Sequence, residues 1–432
     1  MFLALCDSID YVMNRTAGTR ATESMKAADV SLEKREYWRN EKIAFLALST
    51  LKGVGFWTLY KLAKSGVSFK EVLREPEGKL IDKFYDFDEG AASIVAQQDT
   101  LWQKGLVLAR SLYSENIRLI FKEEVGFPPK LKSIPDAPYW IFVQGDVGAL
   151  FCKSVAIVGT RQPSEDGVFL SKLVLAALVK FKCVTVSGLA MGVDQLAHLG
   201  SIRYGLKTIA VLGTGILGNY PKGSEGLRRK ILDGGGCVIS EYLPHQSYSA
   251  ENFIRRNRLQ AALCDLLIPV EWGVKSGTAH TVRFAAKYEK VILNLYLPLT
   301  YELKPELEFS EQQYGAASIE MPAEIPQFED FIYRYVSEDL FFDSGNISDD
   351  VGSDDFEVFE KANLDGESDC SESDEILIVL DETKDEFASP DGGTSSSLAE
   401  RIGSNENINV DVDVKAQREG KDEEGKQFKL KI

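Results

Sequence analysis

Between residues 153 and 300 the chain alternates short, wholly apolar runs with longer amphipathic ones, and this constrains its fold more than any other feature. The apolar runs are SVAIVG (154–159), CVTVSG (183–188), TIAVLG (208–213), CVISEY (237–242), LLIPVE (266–271) and VILNLY (291–296). Stretches such as GVFLSKLVLAALVKF and MGVDQLAHLGSIRYG lie between them and read as helices. A strand that faces water on one side alternates apolar and polar residues. Strands apolar throughout are buried on both faces, which requires a parallel sheet covered by helices on each side. The expectation is an α/β fold, an extended Rossmann-like doubly wound, mostly parallel sheet.

Other segments divide the chain around this block. Residues 1–40 are mixed and polar and read as an N-terminal extension. From 41 to 120 the spacing is helical. IAFLALSTLKGVGFWTLYKLAKSG reads as helix, glycine turn at Gly53-Val54-Gly55, helix, and a further helix covers AASIVAQQDTLWQKGLVLARSLYSE. The proline-rich run GFPPKLKSIPDAPYWIFVQGD reads as an extended connector ending in a strand at Tyr139–Val143. It opens a Rossmann-like domain over 121–337, and 338–432 forms a tail.

The net charge of −17 argues against a nucleic-acid ligand until it is located along the chain. From Glu338 to Ile432 there are 28 acids and 9 bases, a net of −19, which leaves 38 acids and 40 bases, a net of +2, in residues 1–337. The acidity belongs to the tail, and a nucleic-acid site stays open for the rest. The tail is rich in Asp, Glu, Ser and Gly, apart from the patch ILIVL (376–380). Such a composition buries too little apolar surface to offset ordering entropy, so disorder is expected. One reading makes this tail an adaptor that recruits a basic partner or restrains the chain's own ligand site.

Six scattered cysteines (Cys6, Cys152, Cys183, Cys237, Cys264, Cys370) form no CxxC, and the histidines are only His198, His245 and His280. This excludes a disulfide framework and a multi-histidine metal centre, and it suits a reducing cytoplasm. The start, MFLALCDSID, has no basic leader. No apolar run approaches the roughly 20 residues that span a bilayer, so no membrane partner is expected.

Ligands of open α/β sheets bind outside the carboxyl ends of the strands. Four such ends carry glycine with polar groups: Gly159, Thr160 and Arg161; Ser187 and Gly188 ahead of Gly192 and Asp194; Gly213 to Gly215; and Glu271 ahead of Ser276, Gly277 and Thr278. Each glycine alone serves a tight strand-to-helix turn. The set, with a guanidinium at Arg161, points to a phosphate site. GxxxxGK[ST] is absent, and GTGILG (213–218) follows a late strand and runs into Asn219-Tyr220-Pro221. No nucleotide cofactor, metal or catalytic group is therefore assigned. His198 reads as a core histidine. In ENFIRRNRLQAALCD, Phe253 precedes Arg255, Arg256 and Arg258. On a helix Arg255 and Arg258 share a face and Arg256 points elsewhere. Cations beside an aromatic ring suit single-stranded nucleic acid, and equally a solvated helix face.

Taken in order, SVAIVGTRQPSEDG, VSGLAMGVDQLAH, TIAVLGTGILGNYP, ISEYLP, NFIRRNRLQAAL and VEWGVKSGTAHT resemble the DNA-processing protein A family (DprA, also called Smf) over roughly residues 120–300. The resemblance implies an extended Rossmann fold that binds single-stranded DNA, protects incoming DNA in natural transformation and helps load a RecA-type recombinase, without enzymatic activity. It gives Arg161 a DNA-phosphate role and places Ser187, Gly188 and Phe253 to Arg258 around the same pocket. It also implies a homodimer, and it makes the Gly53-Val54-Gly55 hairpin a helix-hairpin-helix or SAM-like module. The chain departs from the family pattern at Leu295-Tyr296-Leu297-Pro298, where a Pro-Gly turn is usual, and at Glu289, where glycine is common. The acidic tail stands where many members carry a winged-helix-like module. The alternative is a nucleotide-binding or nucleotide-processing Rossmann protein similar to phosphoribohydrolases, with Ser276-Gly277-Thr278 as the remnant of their PGGxGT motif.

Overall fold

The computed structural model describes residues 32–75 and 91–336. The expected disorder of the acidic tail, the ILIVL patch and the reading of residues 1–31 fall outside them. Helix α1 covers 32–49, so it begins within the stretch read as an extension. A turn with Gly53 at φ 90° leads to α2 (Phe56–Ser65), then α3 (Phe69–Arg74) and α4 (Ala91–Ser114). Glu41 of α1 is buried, and its carboxylate accepts the amides of Phe69 (2.7 Å) and Lys70 (3.2 Å), capping α3 from a neighbouring helix.

The Rossmann-like sheet forms as the apolar alternation requires. Its strands are β1 (Ile117–Phe121), β2 (Trp140–Gly145), β3 (Ser154–Gly159), β4 (Val184–Ser187), β5 (Thr208–Val211), β6 (Cys237–Ser240), β7 (Leu266–Val270), β8 (Val291–Tyr296) and β9 (Ala317–Glu320). Their spatial order is β1-β2-β6-β5-β4-β3-β7-β8-β9. β1 pairs antiparallel with β2, and β2 antiparallel with β6. Every other neighbouring pair is parallel. The chain winds outward one way from β3 through β6, then returns to place β7 on the other side of β3. That reversal puts a ligand crevice at the carboxyl ends of β3 and β7.

The connecting helices are α5 (Pro129–Lys132), α6 (Glu165–Leu178), α7 (Val193–Arg203), α8 (Glu225–Asp233), α9 (Ala250–Leu263), α10 (Gly277–Lys287), α11 (Pro305–Tyr314) and α12 (Ile325–Val336). Serines start three of them: Ser164, Ser249 and Ser276 accept the amides of Gly167, Asn252 and Ala279 at 3.2, 3.0 and 3.4 Å. Glu289 holds φ 57°, the backbone region that makes glycine common at its position in the family pattern.

One apolar cluster joins the N-terminal helices to the antiparallel side of the sheet. Phe45 is fully buried there, with ring centroids 4.8 Å from Trp140, 5.1 Å from Phe69 and 5.6 Å from Phe121. Among the described residues, no helix is long and apolar enough to cross a membrane. Also among them, no cluster of three His, Cys, Asp or Glu is placed to hold a metal.

Two stability predictions follow from these interiors. Phe45→Ala removes the ring that Phe69, Phe121, Trp140 and Phe142 surround, and should lower the unfolding free energy by about 3–5 kcal/mol in denaturant titrations. Under α7, His198 Nδ1 meets Thr208 Oγ1 at 2.8 Å, and Thr208 in turn accepts from Thr185 at 2.8 Å. Burial, reinforced by the Arg256 charge, pushes the His198 pKa down to about 3. Below the free-imidazole value of ~6.5 the unfolded chain therefore takes up a proton that the folded chain refuses. Stability falls as pH drops through that window, by at most about 1.4 kcal/mol per pH unit from this group. Denaturation series between pH 6.5 and 4.5 should show a shallower slope for His198→Gln than for wild type. Equal slopes would remove His198 as the source.

Candidate nucleic-acid interface

The first strand end is built to present Arg161. The Thr160 amide donates to Glu271 O (3.2 Å), and the Val193 amide donates to Thr160 O (3.1 Å). Gly192 stands at φ 83°, and a β-carbon there would lie 2.4 Å from Thr160 O, so only glycine lets α7 start this close. Arg161 is left exposed, with its guanidinium 5.9 Å from the centroid of the Phe253 ring.

Phe253 sits in the first turn of α9 and covers the end of β5. A β-carbon on Gly213 would meet the Phe253 ring at 2.4 Å, so the first glycine of GTGILG makes room for an aromatic ring. Two tyrosines join it. Tyr220 lies 4.9 Å from Phe253 and 4.5 Å from Tyr248, and Tyr248 lies 6.1 Å from Phe253. Tyr248 is 58% exposed. Their loops are laced together by Gly215 N to Gln246 O (2.8 Å) and Leu217 N to Pro244 O (2.9 Å). Arg228 braces the first loop, with Nη2 donating to Gln144 Oε1 at 2.6 Å and Nη1 to Gly218 O at 3.2 Å. The result is a three-ring surface with a guanidinium at its edge. In the sequence Tyr220 stands out only within Asn219-Tyr220-Pro221, and Tyr248 is not singled out. The signal that locates them is an aromatic in each loop that leaves a strand's carboxyl end.

The three clustered arginines part company. Arg256, 5% exposed, points inward: Nη1 donates to Gly188 O (2.6 Å) and also to Val211 O. Beside it, Asp194 accepts the Gly188 amide at 3.1 Å. Burial pushes the Asp194 pKa up, while the Arg256 charge and hydrogen bonds from the Ala190 and Gly188 amides oppose that. Ser187 is fully buried and donates to Ile157 O (2.7 Å). Arg258, 3% exposed, donates to the buried carboxylate of Glu241. Arg255 donates to the same carboxylate at 3.2 Å. Its guanidinium also lies 4.6 Å from the Trp57 ring and 5.2 Å from those of Phe56 and Tyr60. Arg255 and Arg258 do share a partner, as their spacing implied. Arg161 and Phe253 are therefore on the surface, whereas Ser187, Gly188, Arg256 and Arg258 lie beneath it.

On the other side of β3, Thr278 Oγ1 donates to Gly159 O (2.9 Å), Asn257 Nδ2 donates to Gly277 O (3.2 Å), and Ser276 caps α10. Gly277 is exposed. Between these residues and Arg161 lies Glu271, whose Oε2 accepts the Ser164 amide at 2.8 Å. An acidic side chain thus already takes an amide at the start of α6, where a doubly wound fold would otherwise offer donors to a phosphate. This weighs against the mononucleotide alternative.

The family model for DNA recombination-mediator protein A matches residues 118–325. The DNA processing protein DprA of Streptococcus pneumoniae is 32% identical over 236 residues, covering 52% of this chain and 81% of that protein. Protein Smf of Escherichia coli is 32% identical over 188 residues, 44% of this chain and 50% of that protein, so the match spans only half of its length. A solved structure of the pneumococcal protein aligns with 65% of this chain and 94% of its own at 27% identity, with a TM-score of 0.48. With four-fifths of the pneumococcal sequence matched at that identity, the chain belongs to the DprA/Smf family of DNA-processing proteins.

Proposed function

We propose that this chain binds single-stranded DNA, with little regard to sequence, on the surface formed by Tyr220, Tyr248, Phe253 and Arg161. The observation that carries the reading is an aromatic trio, with Tyr248 exposed and Tyr220 and Phe253 half-buried, and a guanidinium at its edge, at the carboxyl ends of β3, β5 and β6. Every base has a π face, so a ring platform accepts any sequence, while cations follow the phosphates. The exposed Lys222, two residues beyond Tyr220, adds a further cation to this rim. Gly159, Thr160, Ser276, Gly277 and Thr278 shape the β3 edge of the same face.

The same reading, supported by family membership, has the bound strand protected and handed to a RecA-type recombinase. The chain then works as a homodimer in the cytoplasm, as a binding protein without catalytic chemistry of its own. The relatives' names as DNA processing proteins support the DNA part of this role.

An anisotropy titration with labelled oligodeoxynucleotides tests it. Wild type should bind unrelated sequences similarly and lose affinity as salt rises. Tyr248→Ala should cost about 1–3 kcal/mol. Arg161→Ala should reduce the slope of log affinity against log salt by about 0.7, the contribution of one phosphate contact on a single strand. No binding by wild type would overturn the reading, as would wild-type behaviour in both variants.

A further inference from the structure

A second feature lies on the other side of the loop that carries Tyr248. A groove of about 630 Å3 separates the glycine hairpin from the segment after β6, and Gly53, Gly55, Trp57, Leu108, Pro244 and His245 help line it. Pro244 is four residues from Tyr248. A chain that short spans at most about 14 Å, so the groove and the aromatic trio are adjoining faces of one loop.

The groove is suited to a polyanion with flat apolar groups. No Asp or Glu lines it, in a chain that holds 66 of them. Trp57 is 48% exposed, and its ring is held by the Arg255 guanidinium 4.6 Å away. Arg255 and the buried Arg258 share the single carboxylate of Glu241, which leaves this cluster one positive charge in excess. Lys52 is exposed beside Gly53 on the hairpin turn. A ring open to solvent, a surplus cation and a basic turn repeat the composition of the trio with Arg161.

We propose that this groove takes the continuation of the same single strand, so that DNA runs from the Tyr220–Tyr248–Phe253 surface over Pro244–Tyr248 and stacks a base on Trp57. The proposal rests on the DNA-binding reading above and extends it to the N-terminal hairpin. The path makes affinity depend on length: a short strand fills the trio alone, and a longer one reaches both surfaces.

The test uses the full chain and oligothymidylates of about 4 and about 16 nucleotides, the span of common single-strand site sizes. The longer strand should quench tryptophan emission in wild type and leave it unquenched in Trp57→Phe, a change that keeps a ring in place. Trp57→Ala should weaken binding of the longer strand about tenfold and leave the short one unchanged. Lys52→Glu, at an exposed position, should lower the salt slope for the longer strand only. Binding of the longer strand with no Trp57-dependent quenching, and with wild-type affinity in Trp57→Ala and Lys52→Glu, would overturn the groove while leaving the trio intact. Equal loss of both strand lengths would overturn it too, by making Trp57 a support of the trio. Failure of wild type to bind either length would instead overturn the DNA reading itself.

Discussion

The buried guanidinium of Arg256 is the interaction on which the ligand face depends. It donates to carbonyls at the ends of β4 and β5, Gly188 and Val211, and faces the buried carboxylate of Asp194. A guanidinium this deep is tolerable only when its N–H groups are hydrogen-bonded and an opposite charge offsets it. Its geometric effect matters as much. It fixes α9 across the sheet's carboxyl end, so that Phe253, one turn earlier, lands on Gly213 and beside Arg161.

A second buried carboxylate extends the same helix to the N-terminal unit. Glu241 accepts from Arg255 and Arg258, and Arg255 continues into the rings of Phe56, Trp57 and Tyr60 on α2. Tyr242 reinforces the joint, with its hydroxyl donating to Asn252 O at 2.9 Å and its ring 5.4 Å from Phe56. Helix α9 thus carries Phe253 at the sheet's carboxyl end, the inward Arg256 and the hairpin-facing Arg255 within four residues. The glycine hairpin is fastened to the helix that bears the aromatic platform.

The parallel sheet was legible because burial on both faces leaves strands with no polar alternation, and the six runs from SVAIVG to VILNLY all became strands. The edge strands β1 and β9 were missed. IRLIF sits at the end of a helical stretch, and ASIE is a short, half-exposed edge strand with little apolar signal. Arg161 stands out in the sequence by following a strand-end glycine, and Phe253 as the aromatic beside an arginine cluster; the fold brings that guanidinium and that ring within 5.9 Å. Sequence spacing alone could not sort the arginines of FIRRNR by depth, because their fates depend on carboxylates 17 and 62 residues away in the chain, Glu241 for Arg258 and Asp194 for Arg256. Tyr220 and Tyr248 come together only when two loops from different strands fold over each other, which no local pattern encodes. The net charge was the most misleading number. It describes the segment after residue 337, and the sheet that carries Arg161 belongs to the near-neutral residues 1–337.

The central claim is that single-stranded DNA lies on Tyr220, Tyr248 and Phe253. Photocrosslinking with strands containing a halogenated deoxyuridine, followed by mass-spectrometric mapping, tests it most directly. Adducts are expected on Tyr220, Tyr248 or Phe253, lost when excess unlabelled strand competes. Competable adducts confined to residues away from the carboxyl ends of β3, β5 and β6 would contradict it.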